Sequence, residues 1–263
     1  MALIRLQDVG KRFANGTVAL EHLSVEVRAG EFVSFLGPSG CGKSTALRLI
    51  AGLASPSSGT VVRDEMTSSN TAAREEIGFV FQGPTLMPWA EVSENVSLPL
   101  RIAHRPAGEI GERVADALAM VGLTSFASVY PRELSGGMKM RVSIARAMVT
   151  RPRLLLMDEP FAALDEMTRI KLNNDVLALW QEHQLTVVFV THSVYESVYL
   201  SSRILVMAAR PGRVVDDISI DAPYPRDEEF RTSPQYGEFC RRVSRSLRSA
   251  GDETRVMVPT GDG

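Results

Sequence analysis

Gly37-Pro38-Ser39-Gly40-Cys41-Gly42-Lys43-Ser44 sets glycines, a lysine and a hydroxyl at the spacing of a loop that wraps phosphate. Small residues let backbone N–H groups close around phosphate oxygens, and a helix opening at Lys43 turns the positive end of its dipole toward them. Lys43 would reach the β and γ phosphates of a nucleoside triphosphate. Ser44 would hold Mg²⁺, and Thr45 continues the cradle. A ligand-free glycine turn is the plainer alternative, but an apolar strand pattern precedes the loop and a helical pattern follows it, as phosphate binding requires. The loop alone would suit kinases and GTPases equally.

A second constellation closes an apolar run, Leu154-Leu155-Leu156-Met157, with Asp158-Glu159. Acids at the C-terminal edge of a parallel strand face the crevice where such sheets bind ligands. Asp158 would complete the magnesium shell, and Glu159 would orient or deprotonate the attacking water, a contribution of about 10²–10⁴-fold in rate. In isolation the pair would be an ordinary strand end; beside a phosphate loop it becomes catalytic machinery.

The elements that must carry these groups read as strands at 3–8, 18–27, 31–36, 59–63, 77–81, 154–157, 186–190 and 203–207. Helical periodicity begins at Lys43 and reappears between several strands, so the expected class is α/β with a largely parallel core sheet. Between the strands at 77–81 and 154–157 only helical stretches occur, at about 92–100, 109–121 and 136–150, which predicts an all-helical subdomain over roughly 83–150. The expected division is a main domain over 1–220 and a C-terminal extension over 221–263. In that extension Tyr236, Phe239, Val243 and Leu247 share one helical face, Arg241, Arg242, Arg245 and Arg248 form a solvated face, and the tail from Gly251 is loose.

The chain has 263 residues, 44% hydrophobic and 23% charged, enough for a sizeable core. A formal net charge of −2 supplies no basic field for nucleic acid, which is not expected as a partner. Two cysteines, Cys41 inside the loop and Cys240, suit a reducing compartment. No export signal is expected, and the apolar runs are strand-sized, so a membrane role must act through a partner.

Leu134-Ser135-Gly136-Gly137-Met138, directly before a helix with Met138, Val142, Ala145 and Val149 at helical spacing, resembles the signature motif of the ATP-binding-cassette (ABC) family. A serine hydroxyl and glycine N–H groups at a helix N-terminus make a second anion site. The resemblance implies a P-loop NTPase cassette with a RecA-like parallel-sheet core, an N-terminal antiparallel β subdomain and an all-helical subdomain. It implies ATP and Mg²⁺ as cofactors. It also implies a head-to-tail dimer, of two copies or of two related cassettes, in which Ser135, Gly136 and Gly137 of one subunit close on ATP held by the other. Further matches follow in order. Phe13, otherwise a core aromatic, falls where a ring stacks on adenine, with Val18 beside it. Gln82 matches a glutamine that contacts magnesium and the attacking water. Asp165, in Ala162-Ala163-Leu164-Asp165, matches the interface-crossing aspartate, and His192, otherwise a structural histidine, matches the residue at the γ-phosphate. Met140 departs from the family, where many relatives carry glutamine.

Gln82-Gly83-Pro84-Thr85-Leu86-Met87-Pro88-Trp89 is an apolar loop stiffened by prolines, where the resemblance places a coupling helix of a membrane-spanning permease; a loop folded on its own subdomain is the alternative. The wording around 81–100 and 191–214 is similar to importers of the nitrate, sulfonate, taurine and bicarbonate group, with a pyrimidine-precursor importer as rival. A solute-binding protein would then be an indirect partner, and the chain would sit on the cytoplasmic face of the inner membrane. Arg210-Pro211-Gly212-Arg213 reads as a type II turn in a hairpin. A chromosome ATPase would need a coiled coil between Lys43 and Ser135, a translation-associated cassette would need two sets of motifs, and a soluble kinase would not need the signature.

Overall fold

The structure, a computed structural model, describes residues 2–63 and 76–256. The described residues form two compact units, one from the stretches up to 63 and from 188 onward, the other from 76 to 187.

In the first unit β1 (Ala2–Arg12) pairs antiparallel with β2 (Val18–Arg28), and β4 (Ser58–Arg63) takes the other edge of β1. The alternation along β2 explains its orientation: Leu23, Val25 and Val27 are buried, while His22, Ser24, Glu26 and Arg28 face outward. β3 (Phe32–Leu36) is buried at every position, as expected of a strand covered on both faces. It runs parallel to β8 (Arg203–Ala208), with Val33 opposite Arg203 and Leu36 opposite Val206, and β9 (Arg213–Ser219) closes that edge antiparallel. On the other side of β3 lies the later part of β7 (Thr186–Thr191), whose Phe189 ring stands 6.1 Å from that of Phe32. α1 (Lys43–Ile50) follows β3 through the glycine loop, and Arg63 donates to the carbonyls of Leu49 and Ile50 at 2.8 and 2.6 Å, capping its C-terminal end.

The β8–β9 hairpin is formed, but its tip departs from the expected type II turn: the Arg210–Pro211 peptide is cis and Arg210 has φ 59°. After residue 220 one helix is expected and two are present, α7 (Glu228–Thr232), capped by Asp227, and α8 (Pro234–Val256), which continues past Gly251; residues 257–263 of the expected tail lie outside the described residues. Tyr236, Cys240, Val243 and Ala250 are buried along α8. Arg226, 4% exposed, donates to five carbonyls, those of Val198, Tyr199, Ser201, Ile220 and Ala222. Three of these close the C-terminal end of α6 (Val194–Leu200), where carbonyls lack helical partners and the dipole favours a cation.

The second unit contains β5 (Ile77–Val80) parallel to β6 (Leu154–Asp158), with Ile77 opposite Leu154 and Val80 opposite Met157. Between them in sequence come α2 (Val92–Ile102), α3 (Ala107–Met120) and α4 (Gly136–Met148); α5 (Glu166–His183) follows β6. Val92, Val96 and Leu100 form the buried stripe of α2, whose start is fixed by a reciprocal capping box between Glu91 and Glu94. Met140 is 2% exposed, so the position that departs from the family serves the core of this unit. Among the described residues no helix is long and apolar enough to cross a membrane.

Candidate nucleotide site

The phosphate loop lies between buried β3 and α1. Gly42 is the N-cap residue at φ 92°, and a Cβ there would stand 2.7 Å from the Ala19 carbonyl, so both backbone and space demand glycine. No side chain caps α1 and no acid occupies its first turn, so the helix's own sequence leaves its positive end for an anion. Lys43 is 4% exposed, and its ammonium donates to the carbonyls of Gly37 and Pro38 at 2.8 and 3.0 Å, which holds the charge against the loop. Ser44 and Thr45 lie in the first turn of the helix. These features fit a polyphosphate.

In the same unit Arg12 pairs with Val18, which brings Phe13 and Val18 to the connecting end of the β1–β2 hairpin. Phe13 is 42% exposed, with the Lys11 ammonium 5.7 Å from its ring centre; it is not the core aromatic of the alternative reading. Val18 is followed by Ala19, whose carbonyl approaches Gly42, so β2 links the aromatic end to the loop. His192 is exposed just beyond the C-terminal end of β7. Its turn is built by neighbours not foreseen from sequence. Buried Thr191 donates to Glu196 Oε2 at 2.5 Å and accepts from the Ser193 amide at 2.9 Å, while Ser193 caps α6.

In the second unit Asp158 ends a wholly buried strand and is 8% exposed. Glu159 follows at φ 44°, a left-handed conformation uncommon for a side chain of its size. Such outliers concentrate at functional positions. Gln82 is exposed two residues after β5. Ser135 is the N-cap of α4 and accepts from the Met138 amide at 3.3 Å; it and Gly136 are exposed at a helix end with no acid in its first turn. Asp165 caps α5, accepting from the Thr168 amide at 2.9 Å, and that hydrogen bond lowers its pKa. The Asp-x-x-Thr spacing carried this capping signal in the sequence.

Also in this unit is a groove of about 670 Å³ walled by Phe79, Phe81, Leu98, Ile102 and Ala147, with Arg146 at its polar side. Ile102 is 68% exposed. Arg146 was not foreseen as a site residue; its guanidinium holds Pro84 and Thr85 and its pKa is lowered by burial. Asn95, fully buried, ties Met87 and Ala90 to α2 through its amide, which anchors the proline-stiffened segment.

A buried strand, a glycine loop and an uncapped helix start, together with acids ending a second parallel strand, define an α/β P-loop nucleotide-binding protein. Residues 20–162 match the ABC transporter family, and the chain belongs to it. The expected cassette fold, with antiparallel and mainly parallel sheets and helices, is the one observed, and the chain is an ABC ATPase. It is 44% identical over 248 residues to an uncharacterized ABC transporter ATP-binding protein of Methanocaldococcus jannaschii, covering 93% of this chain and 91% of that one. It is 37% identical over 251 residues to the aliphatic sulfonates import ATP-binding protein SsuB of Bacillus cereus, covering 94% and 97%. Among solved structures, the dimeric post-hydrolysis state of the ATP-binding cassette MJ0796, bound to ADP and Pi, is similar with a TM-score of 0.72 at 34% identity, covering 84% of this chain and all of that one.

Proposed function

We propose that this chain is the ATP-hydrolysing subunit of an importer for small organic anions of the sulfonate type, working as a homodimer beneath a membrane-spanning permease that receives solute from a binding protein. The observation that carries this reading is the near full-length similarity to a sulfonate importer's ATP-binding protein. The apolar groove with Phe81 and Ile102, on the unit that holds the signature helix, supplies a surface for a permease segment. A peripheral position on the cytoplasmic face of the membrane follows from that pairing.

Within this reading Phe13 and Val18 hold adenine, and the loop from Gly37 to Thr45 holds the phosphates, with Lys43 on the β and γ groups. Ser135, Gly136 and Gly137 face the nucleotide of the partner subunit, and Asp165 crosses to it. Ser44 and Asp158 would hold Mg²⁺, and Gln82 would contact it and the attacking water. Among the described residues no three His, Cys, Asp or Glu side chains cluster to hold a metal. The donors named, a hydroxyl, a carboxylate and a carboxamide, offer the hard oxygen ligands Mg²⁺ takes, with phosphate and water completing its shell. When bound, the ion neutralises charge on the phosphates. Glu159 takes the proton of the attacking water, and His192 stabilises the γ-phosphate as charge builds.

The test is uptake of a labelled alkanesulfonate, with nitrate, bicarbonate and a pyrimidine thiamine precursor as competitors, in cells deleted for this chain. Complementation by the wild type and not by Glu159→Gln, with competition by sulfonates, is the expected result. Unchanged uptake in the deletion strain would overturn the solute class.

A further inference from the structure

The tip of the β8–β9 hairpin stands against the outside of the phosphate loop. The Gly212 amide donates to the Ala19 carbonyl at 3.1 Å, and the Gly212 carbonyl accepts from the Glu21 amide at 3.0 Å. These two bonds fasten the hairpin tip to the start of β2. Gly212 does not have the positive φ that favours glycine. What excludes a side chain is space: a Cβ would overlap the Cys41 carbonyl oxygen and would stand 2.6 Å from the Ala19 carbonyl oxygen and 3.1 Å from the Cys41 carbonyl carbon. Both oxygens belong to backbone, so neither can swing aside as a flexible side chain could.

The Cys41 oxygen lies closer to this position than its own carbon does, so the Cys41 carbonyl points outward at Gly212. In a planar trans peptide the C=O and N–H point in opposite directions. The N–H of Gly42 therefore points away from the hairpin. Phosphate binding requires loop amides to face the anion and carbonyls to face away. The Cys41–Gly42 peptide turns over through ψ of Cys41 and φ of Gly42, and Gly42, at φ 92°, is permissive enough to allow it unless something outside holds the peptide.

We propose that Gly212 is a positioning residue for nucleotide binding: the hairpin tip braces the Cys41–Gly42 peptide with its carbonyl outward, so that the Gly42 amide is presented to phosphate. The arrangement gives a physical role to Arg210-Pro211-Gly212-Arg213, which hydrolysis itself does not use.

The experiment is Gly212→Ala, with Gly111→Ala, where a Cβ meets nothing within 4 Å, as control. Binding of MgATP is measured by calorimetry and melting is followed without nucleotide. The expected result is ATP affinity weakened by about tenfold or more, the size of one strained backbone residue. Nucleotide-free melting falls with the overpacking, so affinity is compared at a temperature where both proteins are folded, and the Gly42 amide resonance should be displaced before nucleotide is added. Wild-type affinity in a folded Gly212→Ala protein would overturn the proposal. If the variant does not fold, hydrogen exchange on the wild type decides. Saturating MgATP should slow exchange of the Gly212 and Glu21 amides together with the loop, whereas exchange there indifferent to nucleotide would show that the brace and the loop are independent.

Discussion

Arg146 holds Thr85 twice, donating to its carbonyl and to its hydroxyl at 2.8 Å each, and reaches the neighbouring Pro84 carbonyl at 2.9 Å. One guanidinium thereby ties α4, which Ser135 caps, to the segment that begins at Gln82. Hydrogen bonds from a charged donor contribute about 1.5–3 kcal/mol, and an orphaned carbonyl costs further desolvation where it is shielded from water. Arg146→Met should lower unfolding stability by about 1–3 kcal/mol in urea titrations. It should also speed hydrogen exchange over 83–87. Arg146→Lys should restore part of the loss, because a point charge cannot fork across three acceptors.

Gly137 and Thr168 are in contact too close for a side chain at 137: a Cβ there would lie 2.5 Å from Thr168 Cγ2. The second glycine of the signature is therefore constrained by packing against α5 as well as by its place beside an anion site. Arg141 and Asp175, an ion pair between the same helices, reinforce that contact. Gly137→Ala should reduce stability by about 1–3 kcal/mol through overpacking. Adding Thr168→Ser, which removes the obstructing methyl, should recover most of it, and a double-mutant cycle on the four proteins measures the coupling. Additive effects would show that the contact is inert.

The residues legible in the sequence are those whose chemistry demands fixed spacing, and the strands beneath them are those buried on both faces. β3, β6 and β7 are continuous apolar runs and read correctly to within a residue or two. α5 gave no bounds, because its buried positions include Asn173 between Leu172 and Val176 and its apolar periodicity is diluted. β9, with Asp216 and Asp217 in the middle, has the charged pattern of an edge strand and is given no bounds by the sequence, although the hairpin read at 210–213 implies it. Nothing in the sequence sets Arg226 apart between Pro225 and Asp227, and only the fold shows it buried among carbonyls. Ser135 and Asp165 were legible as members of motifs, yet each also spends its side chain on a helix cap.

The C-terminal segment makes stability sensitive to alkali. Burial pushes the Tyr224 phenol up to about 12 from its usual value of 10.0, and its hydroxyl donates to the Leu200 carbonyl at 2.9 Å. The folded state favours the neutral phenol, so this contribution is fully present below pH ~10 and is lost as pH rises toward ~12, where the unfolded chain ionises first. Two units correspond to a ceiling of about 2.7 kcal/mol, reduced because the ring is only half-buried. Tyr224→Phe should be less stable than wild type by about 1 kcal/mol near pH 8, from the lost hydrogen bond. That gap should close or reverse by pH ~11. Chemical denaturation at both pH values checks it, and a constant gap would remove Tyr224 from the alkaline limb.

Glu159 is the position where binding and turnover should separate. It follows the buried Asp158 in left-handed backbone, and replacement by glutamine keeps size and conformation while removing the basic oxygen. Loss of general-base assistance should slow phosphate release by about 10²–10⁴-fold. Affinity for MgATP should change little, since the loop from Gly37 to Thr45 is untouched. If ATP is held between two subunits by Lys43 of one and Ser135 of the other, binding without hydrolysis must favour the pair, because a ligand shifts an equilibrium toward the state it binds best. Light scattering on Glu159→Gln should then show monomers without nucleotide and dimers with MgATP, and Ser135→Arg added to it should abolish the dimer while leaving ATP bound to the monomer. A Glu159→Gln protein that binds MgATP and stays monomeric would remove the shared site from the mechanism. Residual turnover near the wild-type rate would instead move the base to another residue.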